Sequence, residues 1–130
     1  MTLYIRQNST VADIQAAFSK RFPFLKAVFF RNAVEGASGF GGNYMVLDNH
    51  ILLPELSDSL PHYDEEFVIS PNITVAEFEN ALHDRYGLTV RVYCKHYGDW
   101  VETTNSRNLD LEGQNEKGAL TSQVVEDVIL

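Results

Sequence analysis

Cationic and aromatic residues alternate near the end of the sequence, and they are the first candidates for ligand chemistry. In order they are Arg91, Tyr93, Lys95, Tyr97, Trp100 and Glu102. Side chains two residues apart on a β-strand lie on the same face, so we expect this set to share one surface. An aromatic ring flanked by cations suits a small anionic or aromatic ligand. Protein interfaces concentrate the same residue types, so burial against the rest of the chain or a second subunit is the alternative.

The opposite face of the same stretch carries Cys94 and His96. A thiol beside an imidazole is the arrangement of a Cys–His nucleophile. Neighbours on one strand face lie roughly 7 Å apart, which is too far for a direct hydrogen bond between short side chains. We therefore predict that Cys94 is a buried, unreactive side chain on the face that meets a helix.

Two further groupings fail as cofactor or metal sites. Glycines cluster between Gly36 and Asn43, but their spacing matches neither phosphate-loop fingerprint, and no Lys-Ser/Thr pair follows them. His50, His62 and Asp64 lack the spacing of a closed zinc site. The sequence therefore predicts a plain loop, no cofactor and no metal.

An internal repeat predicts the elements that position these residues. The segment Asn72-Ile73-Thr74-Val75-Ala76-Glu77 repeats the earlier segment Asn8-Ser9-Thr10-Val11-Ala12-Asp13. In the later copy, Thr74 and Glu77 predict a capping box at the start of a helix. Gly87 predicts the end of that helix. The earlier copy has aspartate in place of glutamate, so we expect its cap to be the weaker one.

The repeat organises the 130 residues as a single domain. Each copy predicts a strand, a helix and a second strand, joined as a right-handed parallel crossover. Helical spacing places the equivalent residues Phe18 and Leu82 in the core. The predicted fold class is α+β, with a mixed sheet of about five strands and the two repeat helices on one face. The predicted segments are repeats at about 2–31 and 66–95, an insert at 32–63 and a C-terminal helical tail at 108–130.

Spacing around Gly98 predicts a tight β-hairpin after the alternating stretch. With Gly98 and Asp99 as the two loop residues, Lys95 lies opposite Glu102. The two charges are of opposite sign, which favours this register.

Composition and charge restrict the class of partner. The formal net charge of −8 argues against a nucleic acid or an anionic membrane surface as the partner. No apolar run is long enough to cross a bilayer. One cysteine allows no internal disulfide, and the first residues do not read as a signal peptide, so we predict a cytoplasmic protein.

Several short motifs together resemble those of a known family. They are Thr74-Val75-Ala76-Glu77, Gly87-Leu88, Val90-Arg91-Val92-Tyr93, Trp100-x-Glu102-Thr103-Thr104 and Leu111-x-x-Gln114-Asn115. Similar motifs occur in a family of small bacterial proteins, mainly Bacteroidetes-like, that has no assigned activity. The resemblance covers nearly the whole chain apart from the glycine-rich insert and the apolar tail. It implies the same fold and no catalytic residue.

The function predicted from these features is that of a small cytoplasmic binding or interaction module that acts as a homo-oligomer. A dimer is favoured, because the second face of the sheet and the tail are too apolar to be left exposed. The alternative is an enzyme or sensor with a small-molecule pocket between the 36–47 insert and the Arg91–Trp100 face. Net charge alone suggests a third class, an acidic inhibitor that mimics nucleic acid. No feature names a reaction, so whether the protein is an enzyme stays open.

Overall fold

The computed structural model describes residues 1–32, 43–57 and 64–129. The helices in this part of the chain are α1 (Val11–Arg21), α2 (Val75–Tyr86) and α3 (Leu111–Ile129). The strands are β1 (Thr2–Arg6), β2 (Leu25–Asn32), β3 (Asn43–Met45), β4 (Asp64–Val68), β5 (Thr89–His96) and β6 (Asp99–Glu102). Short 3₁₀ turns occupy Leu53–Leu56 and Thr104–Ser106.

The strands form two sheets, and the predicted α+β class is confirmed. One sheet pairs β1 with β4, and the other has the strand order β3-β2-β5-β6. Instead of a single mixed sheet of about five strands, every pairing among the described strands is antiparallel. The predicted parallel crossover is wrong, because β1 and β2 of one repeat lie in different sheets.

Each strand of the repeat pairs with its counterpart from the other copy. In the β1–β4 pairing, Leu3 lies opposite its equivalent Phe67. At the centre of the β2–β5 pairing, Val28 lies opposite its equivalent Arg91. Pairing of equivalent residues in antiparallel strands relates the two halves of the chain by an approximate two-fold rotation.

The structural repeat continues beyond the segments in which the sequence shows it. The N–H of Ala12, in the first turn of α1, donates to the carbonyl of Asn49 at 2.8 Å. Its counterpart Ala76, in the first turn of α2, donates to the carbonyl of Arg107 at 2.9 Å. The hairpins β2–β3 and β5–β6 are equivalent in the same way. Residues 43–53 of the predicted insert therefore belong to the first repeat, while its glycine-rich part lies outside the described residues.

One hydrophobic core joins both sheets to the helices. Phe18 and Leu82 are completely buried in it, as predicted. The ring of Phe18 stacks on that of Phe78 with 5.1 Å between centroids, so the two repeat helices meet in the core. The other completely buried apolar residues among those described are Leu3, Ile5, Val11, Phe22, Leu25, Ala27, Leu53, Val75, Phe78, Val92 and Leu111.

The β5–β6 hairpin turns one residue earlier than predicted. Tyr97 and Gly98 are its loop residues, with φ angles of 48° and 89°. Positive φ at both positions is characteristic of the type I′ turn, whose twist matches that of the flanking strands. Lys95 therefore lies opposite Trp100 and not opposite Glu102. Because the register moves by two residues, each side chain keeps its predicted face.

Helix α3 lies within the predicted C-terminal helical tail and approaches the sheet closely. It runs without interruption from Leu111 to Ile129. At Gly118, a Cβ atom would lie only 2.7 Å from Cβ of Phe24 and 3.2 Å from Sγ of Cys94. Glycine allows the helix to pack this closely against the end of β5.

The complete capping box lies at the first helix and not at the second. The Thr10 N–H donates to Asp13 Oδ2 at 2.9 Å, and the Asp13 N–H donates to Thr10 Oγ1 at 3.2 Å. At α2 the Glu77 N–H donates to Thr74 Oγ1, but the glutamate carboxylate accepts from the Thr74 hydroxyl instead of from the backbone. The expected order of the two caps is therefore reversed.

We predict that Thr10→Ala lowers the free energy of unfolding by about 1 kcal/mol, and by at least as much as Thr74→Ala. Each substitution leaves one helix N–H, that of Asp13 or of Glu77, without its side-chain acceptor. At position 10 the backbone N–H still donates to Asp13 Oδ2, but this bond is weakened because its reciprocal partner is gone. Urea unfolding followed by circular dichroism measures both values. A larger loss at Thr74 would contradict the reversed order.

Candidate functional site

The predicted ligand face lies on β5 and on β6, an edge strand of the larger sheet. Tyr93 lies opposite Glu102, and Lys95 lies opposite Trp100, so these four side chains share one face. The buried residues of β5 alternate with them and face the helices. Tyr97 is not part of this face, because it occupies the turn, where its ring contacts His96 with 4.5 Å between centroids.

A cavity of about 340 Å³ opens beside β5 and another of about 330 Å³ opens beside β2. We call the second one the platform cavity. Tyr93 and Trp100 line one side of it, and residues 45–47, at the end of the 36–47 insert, line the other. Residues from the end of the 36–47 insert and from the Arg91–Trp100 face both line it, while most of that insert lies outside the described residues. The rest of its lining consists of Gln15, Lys26, Val28 and Asn49.

Two lysines lie near the indole of Trp100, and one of them, Lys26, lines the platform cavity. The Nζ atoms of Lys26 and Lys95 each lie 5.9 Å from the centroid of the Trp100 ring, within the range of a cation–π interaction. Sequence reasoning named Lys95 but missed Lys26. The sequence feature that would have identified Lys26 is its alternation with the core residues Leu25 and Ala27 along β2, which places its side chain on the opposite face of the strand.

Arg91 does not line this cavity and instead pairs with a buried acidic residue. Glu79 of α2 has a side chain only 1% exposed, and its Oε2 accepts the Val92 N–H at 2.9 Å. Its Oε1 lies 2.9 Å from Arg107 Nη2 and 3.6 Å from Arg91 Nη1. Glu102 is only a distant partner of Arg91, with 3.9 Å between the nearest atoms. Glu79 thus lies between two guanidinium groups at the open edge of β5, beyond the end of β6.

These charges line the 340 Å³ opening beside β5, which we call the arginine cavity. Its lining residues are Glu79, Asn80, His83, Leu88, Thr89, Val90, Arg91 and Arg107. Both arginine side chains are 37% exposed, so their outer N–H groups are accessible to solvent. Sequence reasoning missed Glu79 and Arg107. The available signal was Glu79 itself, a charged residue four positions after Val75 and three before Leu82 on an apolar helix face.

Burial raises the pKa of the Glu79 carboxyl above its ordinary value of 4.5, while the Val92 N–H, Arg107 and Arg91 act in the opposite direction. The folded protein therefore binds this proton more tightly than the unfolded chain does. The part of the stability that is linked to this proton is accordingly complete below pH 4.5 and is lost as the pH rises through the folded pKa. The ionised carboxylate still accepts the Val92 N–H and still pairs with both arginines.

We predict that the stability of Glu79→Gln relative to the wild type increases as the pH rises from below 4.5 towards neutrality. Glutamine keeps the shape and the acceptor for Val92 but has no proton to lose. Urea unfolding of both proteins across this range measures the difference. A difference that does not vary with pH would show that the folded and unfolded pKa values are equal.

Cys94 is buried, as predicted, at 7% exposure. Its Sγ donates to the carbonyl of Gln114 at 3.3 Å, and burial raises the pKa of the thiol. It borders a small opening of about 170 Å³ that His96 also lines. Within the described residues, no hydrogen bond joins the thiol to His96.

We predict that Cys94 reacts with a thiol reagent at neutral pH much more slowly in the folded protein than in denaturant, because little thiolate forms. A colorimetric thiol titration measures both rates. Rapid, stoichiometric labelling of the native protein would contradict the prediction and restore a reactive Cys94–His96 pair.

Within residues 1–32, 43–57 and 64–129, no three His, Cys, Asp or Glu side chains lie close enough together to hold a metal ion. None of the described helices is both long and apolar enough to cross a membrane.

Comparison with known proteins found no match among family models, curated proteins or solved structures. The function must therefore be argued from the two cavities themselves.

Proposed function

We propose that this protein is a cytoplasmic small-molecule-binding module and that its ligand occupies the platform cavity. The observation that carries the proposal is the single indole of Trp100 with two lysine ammonium groups beside it, at the mouth of a 330 Å³ cavity. This volume lies within the range of small-molecule sites in proteins.

The lining favours a flat ligand that carries a negative charge. Trp100 and Tyr93 offer aromatic surface, and Met45 and Val46 add apolar surface on the opposite wall. Lys26 supplies a cation at a position where a carboxylate of the ligand would reach it. Lysine is a compact point charge on a flexible stem, so it can follow such a group without a fixed geometry. An aromatic carboxylate combines both properties.

The chain has one tryptophan, so the tryptophan fluorescence, excited selectively, reports on this cavity alone. Titration with benzoate and 1-naphthoate should quench or shift the Trp100 emission and raise the thermal midpoint, because these ligands bind the folded state. Lys26→Gln should weaken binding about tenfold, which corresponds to about 1.4 kcal/mol. Tyr97→Ala is the matched control, since this exposed aromatic residue lies outside the cavity. Saturable binding of neither probe, or equal affinity in Lys26→Gln, would contradict the proposal.

We further propose that the module works as a homo-oligomer. Leu47, Val68 and Leu120 are large apolar residues at least 65% exposed. The sequence places Tyr4, Val28 and Val68 together on the second face of one sheet. In the structure that face is divided, because Tyr4 and Val68 belong to the β1–β4 sheet and Val28 is buried. A self-associating surface would therefore include part of the smaller sheet. Sedimentation velocity at micromolar concentration tests this, and a monomer of 14.7 kDa would contradict it.

A further inference from the structure

The approximate two-fold relation makes the platform cavity and the arginine cavity equivalent positions in the two halves of the chain. Gln15, Val28 and Asn49 line the platform cavity, and their structural counterparts Glu79, Arg91 and Arg107 line the arginine cavity. The middle pair are direct partners in the β2–β5 ladder. The outer pairs are related through the matching first turns of α1 and α2. One half therefore serves as an internal reference for the other.

The reference shows that the fold does not require charges at these positions. The neutral amide of Gln15 supplies a hydrogen-bond donor to the backbone of β2, because its Nε2 donates to the Ala27 carbonyl at 2.8 Å. Val28 and Asn49 are uncharged. In the second half the same three positions carry one carboxylate and two guanidinium groups. A buried ion pair often stabilises a fold no more than neutral residues of similar shape, so stability alone does not account for this set.

The charged groups also have unused hydrogen-bonding capacity. Arg107 Nε, a donor, is buried without a hydrogen-bond partner among the described protein groups, whereas Glu79 Oε1 lies 2.9 Å from Arg107 Nη2. The outer parts of both guanidinium groups are accessible from the cavity. Arginine presents its N–H groups as a planar fork that matches the two oxygens of a carboxylate.

We propose that the arginine cavity is a second binding site, which takes a small monocarboxylate between Arg91 and Arg107. The ion-pair cluster formed by Glu79 with the two arginines has a net charge of +1, which one carboxylate neutralises. A phosphate dianion would overcompensate that charge and would face stronger repulsion from Glu79. Asn80 on α2 lines the same cavity and supplies an amide donor. This site is independent of the proposed aromatic ligand in the platform cavity.

The test exchanges the second-half residues for those of the first half. A triple variant, Glu79→Gln, Arg91→Val and Arg107→Asn, reproduces the neutral set that the fold already carries at the equivalent positions. Wild type and variant are titrated with sodium acetate against sodium chloride of equal ionic strength. Binding is followed through the backbone amide NMR signals of Thr89 and Val90, which line the cavity. Trp100→Ala is the control, because it alters only the platform cavity.

We expect saturable acetate binding in the wild type and in Trp100→Ala, and a Kd at least about tenfold higher in the folded triple variant. If the triple variant does not fold, the Kd for acetate is measured in Arg91→Val alone. This variant should fold, because Arg91 is partly exposed and the equivalent residue in the other half is valine. Absence of saturable binding to the wild type, or an unchanged Kd in the arginine variants, overturns the proposal. Tighter binding of inorganic phosphate than of acetate overturns the assignment to a monocarboxylate.

Discussion

Phe18→Ala is expected to lower the free energy of unfolding by about 3–5 kcal/mol. The ring is completely buried, with its centroid 5.1 Å from that of Phe78 and 5.4 Å from that of Phe22. Truncation leaves a cavity where α1 meets α2, and neighbouring helices that are held by both sheets can close it only in part. Leu82→Ala, at the equivalent position of α2, should cost about 2–5 kcal/mol for the same reason.

Chemical denaturation followed by circular dichroism gives these values, provided the slope of the transition is unchanged. Leu47→Ala is the control, since this side chain is 86% exposed and its truncation should change stability by no more than about 0.5 kcal/mol. A loss below about 0.5 kcal/mol at both Phe18 and Leu82 would mean that neither residue is in the core.

Glu79→Ala is expected to cost about 3 kcal/mol at neutral pH, near the lower end of the range for breaking a buried ion pair. The change leaves the Val92 N–H without its acceptor and removes the carboxylate shared by Arg91 and Arg107. The lower end applies because both guanidinium groups are partly exposed, so water can replace some of the lost interaction.

Gln15→Ala provides the matched comparison, because the same position of the other half makes one neutral hydrogen bond to the Ala27 carbonyl. Its loss should cost only about 1 kcal/mol. Urea unfolding of both variants at neutral pH measures the two costs. Equal costs would show that the ion pairs of Glu79 contribute nothing to stability.

Together with the acetate experiment, these variants separate two roles of one residue. Glu79→Ala reports how far Glu79 stabilises the edge of β5. The triple exchange replaces the whole charged set and reports whether the guanidinium groups bind a ligand. Suppose that Glu79→Ala destabilises the protein but that the triple variant remains as stable as the wild type. The charged set is then not required for stability, which is consistent with a role in ligand binding.

Local features of this protein were determined by the sequence itself. Thr74 and Gly87 mark the beginning and end of α2, because a cap depends on residues within one turn of the helix. The apolar spacing of both repeat helices placed Phe18 and Leu82 in the core, since periodicity identifies a buried face without knowledge of its partner. The alternation along β5 assigned Tyr93 and Lys95 to one face for the same reason.

Only the tertiary structure decided which strand pairs with which. A sequence repeat is equally compatible with a strand pairing within its own copy and with pairing to its counterpart, and β1 and β2 pair across the two copies. That choice brings Val28 opposite Arg91 and carries Arg107 from a distant segment to Glu79. The charged set depends on contacts between residues far apart in the chain, which no local period encodes. Glu79 alone was visible in the sequence, as a carboxylate on an apolar helix face, and its two arginine partners became identifiable only when the halves were folded together.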